Sequence, residues 1–301
     1  EESNLPNVKV FGMVYLAKQD EFAFQFRPKL FPKWTKRTIL KVFPSVFDPI
    51  GFLGPFVLKA RMIFQDATVA CPDWDSEVPQ AVMEEWLDWL KSAAEDLEKI
   101  RIPRYTGGRG GEVLEETIHI CCDASEVGYC AVAYRVVKQQ EGDYRVFFLL
   151  ARVKIAPLKA MSVPRLELLA AELGLKVMVE VRKVYEVDIS AIHFWVDATD
   201  VLAWLKTQTK QLPRFVGHRV AKIQEGSVVK NWHKVPGELN PADVGSRGCR
   251  VDELVNHDLW WNGPPFVAKG PEAWPQEPVE ELAVFTGGVG VKPQLNPLTE
   301  E

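Results

Sequence analysis

Cysteine is scarce in this chain, and none of it is spaced for chemistry. Among 301 residues there are five: Cys71, Cys121, Cys122, Cys130 and Cys249. The number is odd, and no C-x-x-C pair exists to bind zinc or cycle a disulfide. Cys121 and Cys122 lie inside an apolar run, where cysteine acts as a small buried hydrophobe. A reduced compartment is expected. Long apolar runs are also missing. None approaches the roughly 18 residues that span a bilayer, and EESNLPNVKV has neither the basic start nor the apolar stretch of a signal peptide. The expectation is a soluble intracellular protein without membrane contact. A surplus of positive charge is missing too. The formal net charge is -5, which taken alone argues against nucleic acid.

What is present changes that last inference. Lys29, Lys33, Lys36, Arg37, Lys41, Lys59 and Arg61 face only Asp48 across residues 29–61. The tail after Pro271 is the reverse, with Glu272, Glu277, Glu280, Glu281, Glu300 and Glu301 against Lys292. An acidic tail can mask a basic face in a whole-chain sum. The hydrophobic fraction of 47% is that of a globular protein, and the length allows two domains.

Residues 8–28 read as two strands, VKVFGMVYLA and EFAFQFRP, around a polar turn at 18–21. Thr35 is a plausible N-cap for a helix reaching Asp48, with Pro44 set to kink or end it. Further helices are expected at about 55–69 and 79–97. TGGRGGE, residues 106–112, leads into a strand and not a helix, so it reads as a linker and not as a phosphate loop.

Beyond it, TIHICCDAS, GYCAVAYRVV and YRVFFLLARV read as an antiparallel meander. A long helix follows from Pro164 to about Tyr185. AIHFWVD is a fourth strand that enters a helix near 199–205, and residues 214–225 look helical. SVVKNWHKV is a fifth strand before the loop PGELNPAD. The order implies an α/β fold with a mixed five-stranded sheet and flanking helices. The tail from Gly263, rich in Pro, Gly and Glu, is expected to be extended or disordered.

Four carboxylates stand where this fold can gather them. Asp123 ends the first strand of the meander and Asp197 ends the fourth strand. If a helical crossover makes these strands parallel neighbours, both acids emerge at one carboxyl edge, where open sheets place ligands. Glu167 lies in the first turn of the long helix. Asp243 follows the loop after the fifth strand. Each also has a structural reading as a turn, cap or dipole residue. Together they suit two Mg²⁺ ions about 4 Å apart, with Mn²⁺ as a substitute, in phosphodiester cleavage. No small-molecule cofactor is expected.

The motifs around these acids resemble a known family, the polymerase polyprotein of BEL/Pao-type LTR retrotransposons. ICCDASEVGYCAVAY resembles its first ribonuclease H motif, VPRLELLAAELG its glutamate motif, HFWVDATDVLAWL its third, WHKVPGELNPADVGSRG its last, and DLWWNGP its closing segment. FPSVFDPIGFLGPFVLKARMIFQD is similar to the end of the reverse transcriptase. The resemblance covers roughly residues 8–265. It implies a reverse transcriptase thumb/connection-like region over 1–105, a Gly-rich linker over 106–114, a ribonuclease H-like domain over 115–262 and a tail over 263–301. It matches Asp123, Glu167, Asp197 and Asp243 one for one to the catalytic, metal-binding carboxylates. It also implies cleavage of RNA paired to DNA, the remaining reverse transcriptase domains as partners, and a cytoplasmic retrotransposon particle or the nucleus as the location.

There are departures from the family pattern. Ala198 stands where serine is common, and Pro44 falls where a helix usually continues. The loop from Pro236 to Ala242 has Glu238 and no histidine; His233 reads as a strand residue. No Tyr-x-Asp-Asp motif occurs, so the expectation is that this chain alone does not synthesise DNA, and nucleotide incorporation on a primed template would contradict it.

The substrate grip has two candidate surfaces. Lys33, Arg37 and Lys41 are spaced to share one helical face, which Lys59 and Arg61 can extend. Lys206, Lys210 and Arg214 form the second. Ser125 and Glu126 are candidate readers of a 2′-hydroxyl. Asp123-Ala124-Ser125-Glu126 lacks the Asp-x-Glu of related exonucleases, and neither Asp123 nor Asp197 opens the Asp-[Ser/Thr]-Gly of an aspartic protease. The rival from another class is a non-catalytic module that binds nucleic acid or protein, left by a decayed or repurposed element.

Overall fold

The computed structural model describes residues 8–10, 13–104, 113–139 and 144–276. Glycine-rich residues 106–112 and the tail beyond 276 lie outside the described residues.

The main sheet is built from β5 (Glu115–Ala124), β6 (Gly128–Lys138), β7 (Tyr144–Ile155), β8 (Ile192–Val196) and β9 (Trp232–Lys234). Its order is β7-β6-β5-β8-β9. The meander β5–β6–β7 is antiparallel, whereas β8 runs parallel to β5, and β9 parallel to β8. This is the mixed five-stranded sheet that the element order implies, in the ribonuclease H-like form that the resemblance implies, preceded by a mainly helical region. Period-two alternation divides its side chains between two layers. Ile118, Ile120, Cys122 and Ala124 pack on one face with Phe194 and Val196, under α4 (Val163–Arg182), α5 (Thr199–Lys206) and α6 (Arg214–Gly226). Cys121, Cys130, Val132, Tyr134 and Trp195 point to the other face.

That second face is covered largely from outside the sheet's own stretch of sequence. A smaller antiparallel sheet, β1 (Val8–Val10), β2 (Met13–Leu16), β3 (Glu21–Phe24) and β4 (Arg101–Pro103), precedes and follows α1 (Lys36–Val42), α2 (Gly54–Ala70) and α3 (Gln80–Asp96). An aromatic column ties these helices: Trp34 meets Trp86 edge-on, Trp86 stacks on Trp89, and Trp89 stacks on Phe56 at 4.5 Å. From α2, Arg61 donates to the Val153 carbonyl at 2.6 Å and Gln65 to that of Ala156 at 3.1 Å. One apolar core therefore runs from Met13 to Val267 across the glycine-rich segment. The layer is completed by α7 (Ala242–Arg247), α8 (Val251–Val255) and α9 (Asp258–Asn262).

The turn Asp48-Pro49-Ile50-Gly51 joins the two parts. The Asp48 carboxylate accepts the amides of Gly51, Phe52 and Leu53, which sets the chain up to enter α2. The Ile50 carbonyl accepts Ala151 N–H from the edge strand β7 at 2.9 Å. Gly51 has φ +91°, and a Cβ there would sit 2.1 Å from the Ala151 carbonyl oxygen, so only glycine fits.

Several sequence expectations need correction. VKVFGMVYLA is not one strand, because Val10 pairs with Met13 and the segment doubles back. The Thr35 helix does not reach Asp48 but, as expected of Pro44, ends early: it stops at Val42 and a 3₁₀ turn carries the proline, which has no N–H to continue the ladder. SVVKNWHKV is strand only over Trp232–Lys234, after a 3₁₀ turn at Val229–Asn231. The described part of the tail is packed, not extended. Its Trp274 ring stands edge-on to His119 and His193 and close to Trp195 and His233.

Candidate active site

Register places the first two acids. Cys122 pairs with Val196, so the next residues, Asp123 and Asp197, emerge side by side where β5 and β8 end. Glu167 arrives from α4 as its fifth residue, just past the first turn expected from the sequence, because the helix starts at Val163 and not Pro164, and the Ala124 amide hydrogen-bonds its carboxylate. One ligand oxygen from each of Asp123, Glu167 and Asp197 lies within 4.8 Å of the others. Asp123 and Glu167 are buried and Asp197 is half-buried. A cleft of about 310 Å³ opens beside them, lined by Pro164, Glu167, Asp197, Ala198 and Thr199.

Asp243 is the fourth acid. It sits in the first turn of α7, its side chain is 40% exposed, and Arg247 Nε donates to it at 2.6 Å. Its charge reaches the other three acids, although it is not one of the converged triad.

The electrostatics are strained in a way that points to a cation. Burial, followed by the charges of Asp123 and Asp197, pushes the Glu167 carboxyl up to about 9. Burial also raises Asp123 to about 7, against the pull of a hydrogen bond from the Ser246 hydroxyl. Asp197 is raised by the same desolvation. Its Oδ1 is buried with no hydrogen-bond partner, a cost proteins rarely bear without a ligand. It does not cap α5, whose N-cap is Ala198 without a side-chain bond. Three converging carboxylates, one with an orphaned oxygen, fit a hard oxygen-seeking metal ion.

α7 and the loop before it contribute residues that sequence reasoning passes over. Ser246 is fully buried, and its hydroxyl touches the Asp123 carboxylate and the Asp243 carbonyl. Asn240 pins the loop to β5 by donating to the Cys122 carbonyl at 3.0 Å. Gly245 lets α7 approach β6, since a Cβ there would fall 2.3 Å from Cys130 Sγ. The legible signal is spacing: Ser246 and Arg247 follow Asp243 by three and four residues, one helical face.

The family model described as a Pao retrotransposon-like RNaseH-like domain matches residues 35–198. The chain belongs to this family. The match takes in α1, α2 and α3 as well as the sheet through β8, which accords with their shared core. Three of the four acids fall within it; Asp243 falls beyond. Among solved structures, this Pao-type chain is similar to ribonuclease H1 from the halophilic archaeon Halobacterium salinarum NRC-1, at 14% identity over 48% of this chain and 96% of that chain, with a TM-score of 0.25. No curated protein matches it.

The candidate nucleic-acid contacts are dispersed. Lys33 precedes the Thr35 cap, so it does not share a helical face with Arg37 and Lys41. Arg37 is paired with Asp75 at 2.8 Å. Arg61 is committed to the Val153 carbonyl, and Lys59 is half-buried on α2. Ser125 serves the β5–β6 turn, donating to the Ser246 carbonyl at 2.7 Å and accepting the amides of Val127 and Gly128. Glu126, Lys206, Lys210 and Arg214 are exposed, the last three around the α5–α6 connection. His233 lies in β9, its ring against Trp195, as a strand residue.

Proposed function

We propose that this chain hydrolyses the RNA strand of RNA–DNA hybrids in a metal-dependent reaction, as the ribonuclease H part of a retrotransposon reverse transcriptase. The observation that carries this is the buried convergence of Asp123, Glu167 and Asp197 in a Pao-type RNaseH-like domain. These three would hold two Mg²⁺ ions, or Mn²⁺ in their place, with Asp243 contributing from the rim. Bound divalent cations supply an activated water and the charge that stabilises the departing oxygen. The chain's own residues prepare the place. Ser246 orients Asp123 through its hydroxyl, the Ala124 amide orients Glu167, and Asn240 fixes the loop that carries Asp243.

The cleft beside Glu167 and Asp197 is where the scissile phosphate enters. Lys206, Lys210 and Arg214 would follow the phosphate backbone, with Lys33, Lys41 and Lys59 as a more distant grip, through contacts that are independent of sequence and sensitive to salt. The helical region over 1–105 is read as the thumb/connection of the same polyprotein, and its other reverse transcriptase domains as partners inside an intracellular particle. Among the described residues no helix is long and apolar enough to cross a membrane.

The test is cleavage of a labelled RNA–DNA hybrid in Mg²⁺ or Mn²⁺. The expected result is cleavage by the parent and loss of at least about 100-fold in Asp123→Asn. An inactive parent, or equal cleavage by the variant, rules the enzyme out.

A further inference from the structure

α7 is only six residues long, yet three of its side chains address the acids. Asp243, Ser246 and Arg247 lie on one face. Ser246 reaches Asp123, while Arg247 Nε holds the Asp243 carboxylate at 2.6 Å with its own side chain 65% exposed. The influence of that guanidinium extends past its partner. It acts through space on both Asp123 and Asp197, and their charges act back on it. Arg247 is thus a cation placed at the mouth of a cluster of acids that repel one another. Arginine stays protonated in proteins, so it cannot give up its charge when a second cation arrives.

We propose that Arg247 is an internal counter-ion for the carboxylate cluster, which a divalent cation must displace, and that the displaced guanidinium then grips a phosphate of the bound nucleic acid. Without metal, it balances part of the carboxylate charge and keeps Asp243 turned to itself. A divalent ion among Asp123, Glu167 and Asp197 repels the guanidinium and competes for the same Asp243 oxygen. The side chain is exposed enough to swing clear without disturbing the core. Its planar fork suits two phosphate oxygens at once, which a lysine cannot match. The second half of the proposal rests on the ribonuclease reading above; the first half does not.

The experiment titrates Mn²⁺ calorimetrically into the full chain, without nucleic acid, for the parent, Arg247→Gln and Arg247→Lys. Arg247→Gln is expected to bind Mn²⁺ about two- to fivefold more tightly, the range set by an exposed ion pair. Its melting temperature should be lower than the parent's in EDTA, and Mn²⁺ should raise it further. Arg247→Lys, which keeps the charge, should bind Mn²⁺ like the parent. In hybrid cleavage at saturating Mn²⁺, both variants should show a raised KM with a smaller change in kcat. Unchanged or weaker Mn²⁺ binding by Arg247→Gln overturns the counter-ion. An unchanged KM in both variants overturns the phosphate grip. A parent that binds Mn²⁺ but cuts no hybrid refutes the ribonuclease reading and the phosphate grip with it, while the metal titration still decides whether Arg247 is a counter-ion.

Discussion

Glu167 sits under two opposing demands. A metal site wants its carboxylate ionised, whereas its burial and its neighbours hold it protonated up to about pH 9. In an unfolded chain it ionises near 4.5. The folded state therefore holds this proton more tightly. That contribution is complete below about pH 4.5 and is lost as pH rises toward 9. Metal-free protein should accordingly lose stability across this window, and Mg²⁺ should restore it; a melting temperature that is flat from pH 5 to 9 in EDTA would contradict this. Glu167→Gln removes the conflict. It should stabilise the metal-free protein at pH 8 by about 1–2 kcal/mol while abolishing cleavage. Ser246→Ala should lower kcat roughly tenfold and leave KM unchanged, because the hydroxyl acts through Asp123. Of these residues, Asp123, Glu167 and Asp197 are legible from sequence because strand ends and a helix start have fixed places in such a fold. Ser246 and Arg247 do not stand out there, since what they do depends on how close α7 lies to the sheet. Residue type alone points Arg61 and Ser125 toward nucleic acid, and their hydrogen bonds turn them inward.

At the scale of elements, amphipathic pattern is a sound guide where a segment is long. α2, α3, α4 and β5 to β7 fall close to their expected limits because one face of each repeats over several turns or pleats. Short segments depart from expectation for identifiable reasons. In SVVKNWHKV, apolar Val228 and Val229 look strand-forming, but the chain makes a 3₁₀ turn that Asn231 fastens to the Ser190 and Ile192 carbonyls. In VKVFGMVYLA, the reversal between Val10 and Met13 lies inside a continuous apolar run, with no polar punctuation beyond Gly12. The turn at Asp48 to Gly51 reads in sequence as a helix stop, although it also covers the edge of β7. Its importance can be measured. Gly51→Ala forces a side chain against the Ala151 carbonyl at positive φ, and should cost about 1–3 kcal/mol in thermal unfolding. A variant as stable as the parent would mean that the turn can move off the strand.

For the whole molecule, the governing fact is that the sheet has two faces, and helices from its own sequence neighbourhood cover one of them fully but the other only in part, with α2 and its aromatic column supplying the rest. Cys121, Cys130, Val132 and Tyr134 look toward α2, α7 and the aromatic column. No period or motif in TIHICCDAS says which distant segment will cover its second face, so the division at the glycine-rich stretch, natural in sequence, carries no information about packing. Residues 113–276 expressed alone should therefore expose apolar surface and lose cooperative unfolding, and a sharp thermal transition in that fragment would refute the dependence. Neutralising Lys206, Lys210 and Arg214 together should flatten the salt dependence of hybrid binding by the whole chain, and an unchanged slope would remove that surface from the substrate path.

The core that spans the glycine-rich stretch has a consequence for chain integrity. A polypeptide held together by Phe52 on Phe148, Arg61 on Val153 and Trp260 on Phe52 does not need the covalent link between Arg104 and Val113 to stay in one piece. A nick there would yield two fragments that copurify as a non-covalent heterodimer. Maturation by proteolysis at that point would be silent in size-exclusion chromatography and visible only under denaturing conditions.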